Sequence, residues 1–126
     1  MNRLEYQFDC LDGHYFFTGE WDETLRYEIR SDIEGFNDLE GELSAEKTKT
    51  FLEKLNEASI EKWDRHYLPE TQGIEDAVRW KVKLVNKDKE YVSEAEESFE
   101  PYGYDSLIEA LKLIEEKAGY FSAGDE

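Results

Sequence analysis

One cysteine, two prolines, two histidines and a shortage of positive charge set the limits of this sequence. A lone Cys10 cannot close an internal disulfide. Cys10 and the distant His14 and His66 do not form the close set of three or four ligands that zinc requires, so no metal site is expected. The acidic string "DIEGFNDLEGE" departs from a calcium loop because Phe36 stands where the fifth position needs Asp or Asn. No long Pro- or Gly-rich linker and no repeat divides the chain, so residues 1–126 read as a single domain. A domain of this length buries roughly two thirds of its unfolded surface.

The N-terminal "MNRLEYQFDC" has neither the apolar region of a signal peptide nor a membrane span. The expected location is the cytoplasm, that of a host cell if the chain is phage-encoded. No Walker loop, dinucleotide glycine fingerprint or nucleophile elbow occurs, and Cys10 falls on the apolar face of a strand rather than in a basic pocket. Neither an enzyme nor a cofactor is expected. Carboxylates can pair as acid and base, but among thirty-two Asp and Glu such pairs arise by chance.

Against those thirty-two acids stand only fifteen Lys and Arg, a formal net charge of −17. Solubility alone needs a magnitude of roughly 2 to 8. Such a chain is repelled by DNA, RNA and acidic membrane surfaces, whose binding depends on Lys and Arg displacing counterions. Its partners are therefore expected to be cationic proteins, with no direct nucleic-acid binding and no membrane.

What is present is a core. Hydrophobic residues make up 39% of the chain and aromatics 14%, which is not the composition of a disordered segment. Leu4, Tyr6, Phe8 and Cys10 alternate with Glu5, Gln7 and Asp9, the period of a strand buried on one side. "LDG" turns the chain into "HYFFTG", and "LRYEIR" alternates again, so the first third reads as an antiparallel meander. One more short strand is expected within 36–43.

Ser44 reads as a helix N-cap with Glu46 in the first turn, and Phe51, Leu52, Leu55 and Ala58 follow at helical spacing, predicting a helix over 45–58. Val78, Trp80, Val82 and Leu84 alternate with Arg79, Lys81 and Lys83, and "NKDK" turns into "EYVSEA", a second hairpin. A last helix is expected with Asp105 as its cap, Leu107, Ile108, Leu111 and Ile114 on one stripe, Lys117 in its last turn and Gly119 beyond, after which the tail frays. The fold class is α+β, an antiparallel sheet of about five or six strands with two main helices packed on it.

Tyr6, Phe8, Tyr15, Phe17 and Trp80 read as core rather than as a base-stacking platform, because acidic rather than basic residues surround them. Trp63 and Tyr67 stand in the polar segment "IEKWDRHYLP", where core anchor and interface contact remain equally open. Charge is distributed unevenly along the chain. Thirteen acidic residues lie between Glu5 and Glu46 against Arg26 and Arg30, whereas Arg79, Lys81, Lys83, Lys87 and Lys89 gather in the second hairpin. The bland reading is a solvated acidic surface.

From about Gly41 to Ile114 the order of elements resembles a family of small uncharacterised α+β domains of Firmicutes and their mobile elements. In that family a helix precedes a tryptophan segment, an Asp-Gly-x-x-Trp strand, a small polar loop and a final helix. "IEKWDRHY" and "VRWKVKL" match the two tryptophan segments, and "FEPYGYDSLIEAL" occupies the place of the loop and last helix. Here "IEDAV" replaces the Asp-Gly, and "SEAEESFEPYGY" replaces the small loop. The resemblance places "SEAEESFE" in the connection leaving the hairpin and implies no activity.

The first functional expectation is a non-enzymatic inhibitor, of the anti-CRISPR kind and encoded by a phage or mobile element. Its anionic face mimics nucleic acid in the basic groove of a nucleic-acid-binding protein such as a CRISPR effector nuclease. Carboxylates on alternate strand residues lie roughly 6.6 Å apart and can form a row for Arg and Lys to read. The candidate contacts are Glu94, Glu96, Glu97 and Glu100, joined by Asp32, Glu34, Asp38, Glu40 and Glu42. The alternative is an immunity protein that neutralises a cationic toxin such as a nuclease, for which Trp63 and Tyr67 would supply the aromatic hot spot. A third class, an enzyme with an unrecognised carboxylate pair, ranks below both.

Overall fold

The apolar–polar alternation of the first thirty residues builds a hairpin and a third strand. In the computed structural model, which describes residues 2–67, 79–96, 101–116 and 118, β1 (Asn2–Cys10), β2 (Gly13–Trp21) and β3 (Leu25–Ser31) run antiparallel. Each strand buries one set of alternate residues: Leu4, Tyr6 and Phe8, then Tyr15, Phe17 and Trp21, then Leu25 and Ile29. The turn from β1 to β2 needs Gly13. Its φ is +139°, and a Cβ there would lie 2.3 Å from Asp32 Oδ1, which instead accepts the His14 backbone N–H at 2.6 Å. The short β4 (Leu39–Glu42) pairs with β3 at the edge, within the expected segment.

Helix α1 (Ala45–Ala58) has the expected bounds, with the Ser44 hydroxyl accepting from Lys47 N–H at 3.2 Å. It buries Thr48, Phe51, Leu55 and Ala58, setting Phe51 on the rings of Phe17 and Trp21. The Thr48 hydroxyl accepts the Leu25 N–H at 2.9 Å, which fixes the helix to the start of β3. After a 3₁₀ turn (Ile60–Lys62), the two-residue β5 (His66–Tyr67) lies parallel to β7. The second hairpin is β6 (Arg79–Asn86) and β7 (Lys89–Glu96).

The sheet order is β4-β3-β2-β1-β6-β7-β5, six antiparallel strands with β5 as a parallel fringe. β1 is thus central, with Tyr6 level with Phe17 on one side and Val82 on the other, and Phe8 level with Trp80. Helix α2 (Tyr104–Lys112) buries Tyr104, Leu107, Ile108, Ala110 and Leu111 on the same side of the sheet as α1, and the two helices touch. Among the described residues no helix packs on the opposite face of the sheet. The fold is α+β, and the aromatic set Tyr6, Phe8, Tyr15, Phe17 and Trp80 is buried in its core.

Three details differ from the sequence expectation. α2 is not capped by Asp105, which sits inside the first turn; Gly103 takes the cap position at φ +97° with no side-chain hydrogen bond. A Cβ on Gly103 would stand 2.2 Å from the Ala58 carbonyl oxygen, so the close approach of α1's last turn, not a local hydroxyl or carboxylate, sets where α2 begins. The helix ends at Lys112, before Ile114, which packs partly buried against the core. Strand β7 continues through "SEAE" to Glu96, because Glu94 and Glu96 find ladder partners in Lys81 and Arg79. Val78, Lys117, Gly119 and the tail beyond lie outside the described residues.

Candidate interaction surface

The face of the sheet on which no described helix packs carries charges of both signs. Successive ladder neighbours across β4, β3, β2 and β1 read Glu42, Arg26, Glu20 and Arg3 in one row and Glu40, Glu28, Thr18 and Glu5 in the next. The second row continues to Lys83 on β6, and the row beyond it joins Gln7, Lys81, Glu94 and His66. Many of the cations are matched where they stand. Arg3 Nε bonds Glu5 at 2.7 Å and its other nitrogen meets Glu20; Lys83 meets Glu90 at 2.8 Å; Arg30 contacts Glu28, and Asp38 at 3.4 Å.

The titration directions follow from these contacts. The Glu90 hydrogen bond raises the Lys83 ammonium, and the same bond lowers the Glu90 carboxyl. Glu5 raises Arg3, and the charge of Glu28 raises Arg30. The hydrogen bond from the His14 ring to Asp9, Nδ1 to Oδ1 at 2.8 Å, raises the imidazole above its ordinary value. Burial pushes the Tyr15 phenol well above its usual value, keeping it neutral in the core. Exposed pairs like those on the sheet contribute little to stability.

The run from Asp32 to Glu42 gathers at the β4 edge. Two of its carboxylates also organise the loop: Asp32 holds the His14 N–H, and Asp38 Oδ1 accepts the Ser31 N–H at 3.0 Å. Glu34, Glu40 and Glu42 are exposed, as is every residue of β4. The Thr24 hydroxyl donates to Glu42. Glu40 stands directly opposite Glu28 in the ladder, a like-charge pair that opposes strand pairing. Charge on an edge strand also blocks unwanted pairing with other chains.

The second acidic run lies at the other side of the sheet. Glu94 is partly exposed, 3.2 Å from His66 Nδ1 and level with Lys81; Glu96 pairs with Arg79 in the ladder; Glu97 and Glu100 lie outside the described residues. Five strand spacings of about 4.8 Å separate β4 from β7, so Glu40 and Glu94 share a face at a distance of roughly 24 Å. The basic side chains of β6 stand between β7 and the rest of the sheet. The two runs are two patches, not one.

Trp63 is half-buried, with its ring 5.6 Å from Trp80 and 6.3 Å from Tyr104. Its Nε1 donates to the carbonyls of Ala58 at 2.9 Å and Tyr102 at 3.1 Å. Tyr67 pairs with Ala95 along the β5 fringe. The aromatic that sequence reasoning passed over is Tyr102, 95% exposed. In "FEPYGYD" nothing local distinguishes it from Tyr104, which is buried. Only the αL turn at Gly103 sends the two rings opposite ways.

A cleft of about 660 Å³ opens between α1 and the far end of the second hairpin, walled by Trp21, Leu52, Leu84 and Tyr91, with Lys49 and Glu53 at its rim. Its mixed lining assembles no chemical constellation. Among the described residues no group of three or more His, Cys, Asp and Glu is placed to hold a metal ion, and no helix is long and apolar enough to cross a membrane. The chain matches no protein-family model. No curated protein sequence matches it either.

Proposed function

We propose that this chain is a non-enzymatic inhibitor that binds a basic nucleic-acid-binding protein by presenting carboxylates where that protein expects phosphates. The observation that carries the reading is the β4 edge. There an exposed strand places Glu40 and Glu42 on one face, sets Glu40 against Glu28 despite the repulsion, and follows a loop bearing Asp32, Glu34 and Asp38. A net charge of −17 steers such a surface toward cationic grooves and away from nucleic acid itself. Both patches have cations close by, Arg26 and Arg30 at the β4 edge and His66 and Lys81 beside Glu94. The β7 patch ranks second because fewer of its carboxylates lie among the described residues.

The test is competition. Proteins retained from a bacterial lysate by the immobilised chain are challenged with duplex DNA and with rising salt. The reading requires that the retained proteins bind nucleic acid and that DNA displaces them. Retention that neither DNA nor salt disturbs would exclude it. One observation favours the second reading, an immunity protein for a cationic nuclease toxin: exposed Tyr102 is the kind of aromatic anchor that tight, specific protein pairs use.

A further inference from the structure

Tyr102 is exposed, yet its carbonyl and its immediate neighbours are held by core residues. Pro101 before it and Tyr104 two residues on are both buried. The Tyr102 carbonyl accepts the indole N–H of Trp63 at 3.1 Å, and the Pro101 carbonyl accepts the Tyr104 N–H at 3.0 Å. Gly103 is pressed so closely to the Ala58 carbonyl that no larger residue fits. Trp63 in turn packs against Trp80 and Tyr104, which also touch each other. A ring that buries almost nothing gains the fold almost nothing, while the loop beneath it is fixed by core residues.

The ring overlooks a shallow depression of about 630 Å³ that it shares with Glu57, Asp105, Ser59 and Ser106. Among the described residues no basic side chain lines it; Glu57's cationic neighbour is Lys54, at 3.9 Å along α1. We infer that Tyr102 is a preformed anchor for an arginine of the partner, the guanidinium stacking on the phenol ring while Glu57 accepts its N–H groups and Asp105 adds negative charge to the depression. Arginine rather than lysine is specified because a planar, weakly hydrated guanidinium stacks on an aromatic face and bonds carboxylates in the same plane, whereas an ammonium is a compact, strongly hydrated charge. Fixing the loop in advance removes the ordering cost that a mobile tyrosine would incur on binding. The inference rests on the cationic-partner reading above and names the group recognised.

Its test is the full chain titrated with an oligo-arginine peptide and an oligo-lysine peptide of equal length at near-physiological salt, followed by backbone amide NMR. Arginine is expected to bind tighter and to shift the signals of Tyr102, Gly103, Asp105 and Glu57. Tyr102→Ala is expected to weaken the arginine peptide by about tenfold and to abolish the preference, while Tyr102→Phe retains it and neither change moves the melting temperature. Equal binding of both peptides, or shifts confined to the β4 edge, would overturn this anchor and leave the cationic partner standing. Failure of both peptides to bind would remove both ideas.

Discussion

The hydroxyls of Tyr6 and Tyr104 lie 2.6 Å apart inside the core, a hydrogen bond that fastens the central strand to the second helix. Tyr6→Phe and Tyr104→Phe are each expected to cost about 1 kcal/mol, and the double change less than the sum of the two. Urea denaturation of the four proteins measures the coupling. Strict additivity would show that the bond contributes nothing.

Gly103→Ala is expected to destabilise the protein by about 1–3 kcal/mol, because the residue holds a positive φ and its new methyl would meet the Ala58 carbonyl. Thermal melting reads the loss. An unchanged midpoint would mean that α2 can withdraw from α1 without penalty.

Trp80 is 2% exposed and packs against Trp63 and Tyr104, so Trp80→Ala is expected to cost about 3–5 kcal/mol. A melting temperature equal to wild type would contradict the register that sets Trp80 level with Phe8.

His14 is expected to titrate above its ordinary value of 6.5, held protonated first by its hydrogen bond to Asp9. A group raised on folding stabilises the native state fully below its unfolded value and ceases to do so as pH rises through the folded one. The pair therefore supports the fold in mildly acidic solution and not in alkaline solution. NMR titration of the imidazole checks the direction, and Asp9→Asn is expected to bring the midpoint back down.

Glu40→Gln together with Glu42→Gln is expected to leave stability equal or slightly higher, since repulsion from Glu28 is relieved. Association with a basic partner slows and loses part of its salt dependence. Association rates across a salt series distinguish this from a merely solvated edge, for which wild type and variant coincide.

Where sequence and structure agree, the deciding forces are local. α1 is legible from its Ser44 cap and the spacing of Phe51, Leu55 and Ala58, and the strands from period-two alternation. What the sequence conceals is set by distant contacts. β7 outruns its expected end because Lys81 and Arg79 lie across from Glu94 and Glu96, and α2 starts at Gly103 because Ala58 arrives there from another element. The separation of the acidic runs has the same origin. Residues 32–42 and 94–96 look equivalent as strings, and only the insertion of β6 beside β1 places them toward opposite sides of the sheet.

The central position of β1 also governs the order in which the molecule can be completed. One flank of β1 is filled at once by β2 through a two-residue turn, but the other waits for β6, whose first residue follows Cys10 by more than half the length of the chain. A nascent chain that has emitted only β1 to β4 and α1 holds a half-sheet whose middle strand is still an edge, with the apolar row of Leu4, Tyr6 and Phe8 beside it. Closure across so long a separation is slow relative to hairpin formation, and an open edge invites pairing with other chains in the interval. Glu5 and Asp9, alternating with that row, supply like charges that oppose such pairing during synthesis.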